Sequence, residues 1–290
     1  MKPAAFEYFA PRSLEEAVGL LSRRGDEAKV LAGGQSLVPM MAFRLATPAA
    51  LVDVNGVREL DYQRQGGGTL VLGALTRHRT VADLGLRERC AMLAEGVDLI
   101  GHPAIRNRGT VGGSLAHADP AAEWPAILLA LGGEVDVMGP LGRRTIGAAD
   151  LFATYFTTSL APDEILAEVR LPLPDGGAVG SSFVELARRH GDFAVAGAAT
   201  LVRLGGDGTV AESRVVLIGV GDRPIRARNA EAALAGREPT DGTVEEAAAS
   251  VAGEIDPVSD VHGSGDYRRH VAGVLTRRAL SIARDRARST

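Results

Sequence analysis

The chain has 290 residues, enough for two or three domains and a sizeable core. Its formal net charge of −4 argues against a nucleic-acid partner, and no apolar run reaches the ~20 residues of a membrane-spanning helix. The N-terminal residues 1–7 lack the apolar segment of a signal peptide, which predicts a cytoplasmic protein. Because Cys90 is the only cysteine, the chain cannot form an internal disulfide or ligate an iron–sulfur cluster through cysteines alone.

Residues 1–55 have the pattern of a small β-α-β unit. A short strand around Tyr8 ends at Pro11, and Ser13 and Glu16 form a capping box that opens a helix running to Arg24. A strand ending at Leu31, a helix-compatible segment over 37–44 and a strand over 51–54 follow.

The first glycine motif (residues 31–36) lies between that second strand and the helix-compatible segment. Two adjacent glycines permit positive φ and expose backbone N–H groups, and the side chains of Gln35 and Ser36 add donors. Such a turn at a helix start is suited to a phosphate group, although a plain structural turn has the same pattern. The candidate binding residues here are Leu31, Ala32, Gly33, Gly34, Gln35 and Ser36.

A second glycine motif (residues 110–114) repeats this chemistry, again leading towards a helix. Its residues are Thr110, Val111, Gly112, Gly113 and Ser114. Neither motif contains Lys or Arg, so an anion held there would be bound by peptide dipoles and hydroxyls, as suits a buried pyrophosphate. Neither motif has the spacing of a Rossmann fingerprint or a P-loop.

The middle of the chain, residues 56–175, predicts a further α+β unit. Turn residues 66–68 suggest a hairpin whose return strand covers 69–74. Helices are expected over 80–100 and 120–131, another hairpin over 134–138 and 143–146, and a strand over 165–171. The Pro- and Gly-rich residues 171–177 predict a domain boundary.

The remaining residues, 176–290, predict an antiparallel strand set followed by helices. The strands are expected over 182–187, 198–204 and 210–220, and the helices over 230–235, 244–251 and 267–284.

Few side chains outside the glycine motifs indicate catalysis. The histidines at 102, 117, 190, 262 and 270 are scattered, without metal-ligand spacing, and no nucleophile elbow or Cys–His pair is present. We expect Asp119 to cap a helix starting at Pro120, His117 to be a loop residue near a ligand, and Trp124 to be core.

Two basic segments leave alternatives open. Arg106 and Arg108 precede the second glycine motif, where they either neutralise a bound anion or form a solvated turn. Residues 188–193 (Arg-Arg-His-Gly-Asp-Phe) either carry salt bridges at a domain interface or place Phe193 against a flat ring.

The chain resembles, over essentially its whole length, the FAD-binding medium subunit of the molybdenum hydroxylases, the group of carbon monoxide dehydrogenase and xanthine dehydrogenase. The resemblance rests on the two glycine motifs in their order and spacing, on residues 51–55 (Leu-Val-Asp-Val-Asn), and on residues 188–193.

This resemblance implies an α+β fold of the vanillyl-alcohol-oxidase (PCMH) type. Two subdomains, residues 1–55 and 56–175, hold FAD between them, and residues 176–290 form a C-terminal domain of strands and helices. Both glycine motifs would wrap the FAD pyrophosphate. Glu123 corresponds to an acidic residue contacting the ribose or adenosine side, and Ile100 to an apolar residue against the flavin. Relatives commonly carry a Lys where Val184 and Glu185 stand here.

The resemblance also implies a partner for every missing centre. A large subunit would carry molybdopterin and a small one two [2Fe–2S] clusters, in a dimer of heterotrimers, while this chain passes electrons from FAD to an external acceptor. Two alternatives are a self-sufficient NAD(P)H-dependent flavin reductase of the same fold and a nucleotide-binding scaffold without redox function.

Overall fold

The computed structural model describes residues 2–289, and its first sheet is a small parallel one. It has the order β1-β3-β2. Helix α1 begins where the hydroxyl of Ser13 accepts a hydrogen bond from the N–H of Glu16 (3.1 Å), and its apolar face is buried against the sheet. The elements are β1 (Glu7–Phe9), α1 (Leu14–Arg24), β2 (Ala28–Leu31), α2 (Leu37–Ala42) and β3 (Ala50–Asp53).

The second sheet is antiparallel, with the order β4-β5-β10-β6-β7. The predicted hairpin at 66–68 is confirmed, because Gly67 and Gly68 both adopt positive φ between β4 and β5. The elements are β4 (Gln63–Gly66), β5 (Thr69–Gly73), α3 (His78–Ala82), α4 (Ala91–Leu99), α5 (Pro103–Arg108), α6 (Val111–His117), α7 (Glu123–Leu131), β6 (Glu134–Gly139), β7 (Gly142–Gly147), α8 (Ala148–Leu151), β8 (Phe152–Thr154), β9 (Thr157–Thr158) and β10 (Ile165–Pro172).

The third sheet is the predicted antiparallel strand set, in the order β11-β12-β13-β14. The long C-terminal helix covers one face of it, and α4 and α7 pack on the other, so the second and third sheets share one apolar core. The elements are β11 (Val179–Ala187), β12 (Ala194–Leu204), β13 (Val210–Ile218), β14 (Ile225–Arg226), α9 (Arg228–Leu234), α10 (Asp241–Ser250) and α11 (Gly265–Arg288).

Three local expectations were wrong, all between the hairpin and α7. The helix expected over 80–100 is two helices, α3 and α4, separated around Gly85, which has φ 66°. A further short helix that was not expected, α5, begins at Pro103, a residue type that is favoured at the first position of a helix. The helix expected from Pro120 begins at Glu123, and Asp119 caps only the turn before it, by accepting from the N–H of Ala121 (2.9 Å).

None of the helices within residues 2–289 is both long and apolar enough to cross a membrane.

Candidate functional site

A cleft of about 720 Å³ runs between the first two sheets and reaches the start of β12. Its volume lies within the usual range for ligand sites, roughly 300–1,000 Å³. Of the residues predicted to bind a cofactor, Leu31 at the end of β2 and the buried Val111 are absent from the lining. The others all line it: Ala32, Gly33, Gly34, Gln35, Ser36, Ile100, Thr110, Gly112, Gly113, Ser114 and Glu123.

The two glycine motifs meet in this cleft. A Cβ on Gly33 would lie 2.3 Å from the carbonyl oxygen of Arg108 and 2.8 Å from Cα of Gly109. A Cβ on Gly113 would lie 3.8 Å from that of Ala32. Glycine is therefore required at Gly33 for close backbone approach, and Gly34, with φ 72°, provides the left-handed turn.

The first glycine motif offers free donors. Within residues 2–289, no protein group accepts a hydrogen bond from the N–H groups of residues 33–36. The hydroxyl of Ser36 makes no capping bond to α2, and the side-chain amide of Gln35 donates to the carbonyl of Gly33 (3.0 Å). Four backbone N–H groups beside the cleft thus lack a protein acceptor in the described part of the chain, and an anionic ligand would supply one.

The second glycine motif differs, and the expectation that it exposes free N–H groups was wrong. It forms the first turn of α6 instead of a loop, with Thr110 as the N-cap accepting from the N–H of Gly113 (3.1 Å). The N–H of Gly112 donates to the carbonyl of Ala74 (3.0 Å). A Cβ on Gly112 would lie 2.5 Å from that of Ala74, so this glycine allows α6 to pack onto the end of β5. This motif therefore contributes the hydroxyl of Ser114, which makes no hydrogen bond within residues 2–289, and the close approach of α6 to β5.

Asn55, in the conspicuous segment 51–55, braces the first motif. Its side-chain amide donates to the carbonyl of Ala32 (2.8 Å) and to Asp53 (2.6 Å). Its oxygen accepts from Arg77 (2.7 Å), and Arg77 also donates to the carbonyl of Arg108. This chain of bonds holds the two glycine motifs at a fixed separation.

Arg106 follows neither of the alternatives left open by the sequence. Its guanidinium donates to the carbonyls of Asp98 (3.2 Å), Ile100 (2.9 Å) and Gly101 (3.0 Å), which closes the C-terminal end of α4. Arg106 thereby fixes the backbone at Ile100, whose side chain is only 8% exposed and lines the cleft.

His78 also lines the cleft and was missed by sequence reasoning, because no motif surrounds it. Its Nδ1 accepts a hydrogen bond from Nε1 of the fully buried Trp124 (2.9 Å). Burial, with lesser contributions from Arg106 and Arg77, lowers the pKa of His78 to about 4. Trp124 is core, as expected, but its indole also orients a cleft residue.

Glu123, at the start of α7, and Glu185, in β11, are close enough to interact electrostatically. Burial and the nearby Glu185 raise the pKa of Glu123 to about 8, and burial raises that of Glu185 to about 7. One carboxyl oxygen of Glu185 is inaccessible and has no hydrogen-bond partner among the described residues 2–289. Burial also raises the pKa of Asp119 and lowers that of His117, whose ring lies 5.1 Å from the ring of Phe156.

The segment 188–193 places Gly191, Asp192 and Phe193 at the end of the cleft. Phe193 is 66% exposed, so its ring is available to a ligand. This is compatible with the alternative in which Phe193 lies against a flat ring. Gly191 has φ 87° and packs on His102, where a Cβ would come within 2.6 Å of the imidazole. The same three residues border a second cavity of about 520 Å³ on the side of the C-terminal domain.

Two domain families match the chain. Residues 4–174 match the FAD-binding domain in molybdopterin dehydrogenase, and residues 181–283 match the C-terminal domain of carbon monoxide dehydrogenase flavoprotein. The chain is 42% identical to the alpha subunit of the 6-hydroxypseudooxynicotine dehydrogenase complex of Paenarthrobacter nicotinovorans, covering 100% of this chain and 98% of that one. It is 38% identical to the carbon monoxide dehydrogenase medium chain of Hydrogenophaga pseudoflava, covering 98% of both.

Solved structures agree over the full length. Carbon monoxide dehydrogenase from Hydrogenophaga pseudoflava has a chain with a TM-score of 0.95 and 41% identity, covering 99% of both chains. Quinoline 2-oxidoreductase from Pseudomonas putida 86 has one with a TM-score of 0.92 and 37% identity, again covering 99% of both. The α+β fold expected from the motifs is thereby confirmed, and the chain belongs to the FAD-binding oxidoreductase subunits of the molybdenum hydroxylase family.

Proposed function

We propose that this chain is the electron-transfer subunit of a molybdenum hydroxylase in the cytoplasm. It would receive electrons from [2Fe–2S] clusters on a small partner subunit, reduced in turn by a molybdopterin-carrying large subunit. It would then pass them to an external acceptor. The full-length similarity to subunits of multi-subunit dehydrogenases carries this proposal, and the single cysteine agrees with clusters held by another chain.

FAD is the cofactor of this family, and the cleft fits it. The four unpaired N–H groups of the first motif and the close approach allowed by Gly33 suit a pyrophosphate between the two motifs. We propose as binding residues Leu31, Ala32, Gly33, Gly34, Gln35, Ser36, Ile100, Thr110, Val111, Gly112, Gly113, Ser114 and Glu123. Leu31 and Val111 would act by placing their neighbours rather than by contact. Bound FAD accepts electrons singly or in pairs, which lets it join one-electron clusters to a two-electron acceptor.

We further propose a division into residues 1–55, 56–175 and 176–290. The separate sheet in each range supports it, as does the gap between the two family matches at 174 and 181. In this arrangement the cleft lies between the first two units, and segment 188–193 of the third closes its end.

The self-sufficient reductase is less well supported, because the relatives compared above are subunits of larger dehydrogenases. A dimer of heterotrimers remains our proposal for the assembly. Purifying the chain from its native host tests both the partner subunits and the assembly. A large and a small subunit should copurify with the chain, and the native mass should equal the summed mass of two copies of each of the three subunits.

Rapid-mixing spectroscopy tests the direction of electron flow. With the organic substrate of the complex, cluster absorbance should bleach first and flavin absorbance afterwards, while the chain alone should not respond. Turnover of an organic substrate by the chain alone with NAD(P)H, at roughly 1 s⁻¹ or faster, would replace the relay by the reductase.

A further inference from the structure

The side of the cleft formed by the second glycine motif is short of donors. The N–H groups of residues 111–114 are all used: by Thr76 and Ala74 at the end of β5, and by the side chain and carbonyl of Thr110. A pyrophosphate between the motifs would meet free N–H groups on one side only. A donor to the pyrophosphate on the side of the second motif would have to come from another residue.

His78 lies next to the second motif and lines the cleft. Its backbone N–H donates to the carbonyl of Gly109 (3.1 Å), directly before the second motif. A Cβ on Gly109 would lie 2.7 Å from Cδ2 and 2.8 Å from Nε2 of His78, and Cα of Gly109 packs in turn against Gly33. The Nε2 edge of the imidazole therefore lies beside Gly109, the residue that Gly33 of the first motif approaches.

The tautomer of His78 follows from its partner. An indole N–H can only donate, so Nδ1 of His78 must be the unprotonated nitrogen, and the neutral ring carries its proton on Nε2. Within the described residues 2–289, no protein group accepts from Nε2. Nε2 is also not one of the fully inaccessible unpartnered side-chain atoms, and His78 is a lining residue of the cleft.

We propose that His78 is a binding residue for FAD, donating from Nε2 to the pyrophosphate, and that Trp124 is the positioning residue that fixes its tautomer. This inference rests on the proposed FAD site. Arg77 and Arg106 are already engaged with backbone carbonyls and Asn55. The neutral imidazole of His78 can therefore supply the donor beside the second motif that these two guanidinium groups do not. The hydrogen bond from Trp124 occupies Nδ1 and opposes its protonation. While this bond is intact, the imidazole stays neutral and keeps its proton on Nε2.

Three variants separate the role of His78 from that of Trp124. For each one, the affinities for FAD and for ADP are measured by fluorescence titration of the deflavinated protein within its complex. His78→Leu removes the donor, and we expect FAD and ADP to bind about ten- to a hundredfold more weakly, as for a hydrogen bond to a charged group. His78→Gln should restore most of the affinity, because its carbonyl can accept from Trp124 while its NH₂ donates into the cleft. Trp124→Phe should weaken binding by a smaller factor, because the ring is no longer held in one tautomer.

The outcomes are separable. Failure of the unaltered protein to bind FAD would overturn the proposed FAD site itself. Normal FAD binding by His78→Leu, or a loss of FAD affinity with ADP affinity unchanged, would overturn only the pyrophosphate contact of His78. Nitrogen NMR of the histidine-labelled full chain gives a check independent of affinity. It should show His78 protonated on Nε2 at pH 7, and protonation on Nδ1 would refute the proposal even if the leucine variant failed to fold.

Discussion

The backbone of Gly33 lies against that of Gly109, so that a single methyl group at Gly33 would come within 2.8 Å of Cα of Gly109. Two segments distant in sequence thus share one wall of the cleft. The obstacle to a side chain there is backbone on both sides, which cannot rotate away as a flexible side chain does.

Gly33→Ala should therefore weaken FAD binding by forcing the two motifs apart. Overpacking of this kind costs about 1–3 kcal/mol, which corresponds to a FAD dissociation constant raised about fivefold or more. Gly66→Ala in β4 is the matched control, since no neighbouring atom of the described part of the chain lies within 4 Å of its Cβ position. Equal FAD affinity for the two variants, measured by fluorescence titration, would show that the close approach does not shape the site.

Arg77→Lys tests the brace between the motifs. A lysine has one ammonium group and cannot bond Asn55 and the carbonyl of Arg108 in the fork geometry of a guanidinium. We expect the free energy of unfolding to fall by about 1–2 kcal/mol and the purified protein to carry less FAD. Arg79→Lys, which alters only an exposed pair with Asp83, should leave both unchanged. If the two variants behave alike in denaturant titration, the brace contributes nothing.

The sequence predicted residues that line one cleft, but it did not predict how the second glycine motif is folded. The turn at the first glycine motif follows from local chemistry, since two adjacent glycines between a strand and a helix-compatible segment permit positive φ. The helical character of residues 111–114 does not, because glycine disfavours helices by about 1 kcal/mol per residue. Tertiary contacts reverse that preference: Thr110 caps the helix, and Gly112 is the residue small enough to pack on Ala74.

The break between α3 and α4 was hidden for a related reason. Val81, Leu86, Leu93 and Val97 are all buried in one core, so the apolar period continues across the interruption. The link between His78 and Trp124 was beyond sequence reasoning because it depends on how α3 packs against α7. Residues 46 positions apart carry no shared local signal.

Ser36→Ala and Ser114→Ala should each weaken FAD binding only modestly, by about 1 kcal/mol, the net value of one hydrogen bond. Both serines line the cleft, and within residues 2–289 neither hydroxyl hydrogen-bonds to a protein group, so the fold should tolerate their removal. The test is a comparison of FAD dissociation constants and melting temperatures. A large fall in melting temperature with unchanged FAD affinity would mean that these serines are structural.

The buried Glu123 and the partly buried Glu185 make stability depend on pH in an unusual direction. The pKa of Glu123 is about 8 in the folded chain against an ordinary value of 4.5, so between these values the unfolded chain releases a proton that the folded chain keeps. Stability is therefore fully present at low pH and is lost as pH rises from about 4.5 towards 8, by at most about 1.4 kcal/mol per pH unit. Glu185, with a pKa of about 7, acts in the same direction.

Glu123→Gln keeps the shape of the side chain and removes its titration, so the deflavinated variant should resist denaturant better than the unaltered chain at pH 8 and about equally at pH 5. Glu185→Gln should have a smaller effect of the same sign. The gain in the free energy of unfolding should be smaller for the double variant than the sum of the two single gains, because each ionised carboxylate raises the cost of ionising the other. Glu245→Gln, at an exposed carboxyl near Arg277, is the control. A stability difference between the Glu123 variant and the unaltered chain that stays constant from pH 5 to pH 9 would mean that Glu123 is ionised in the folded protein throughout.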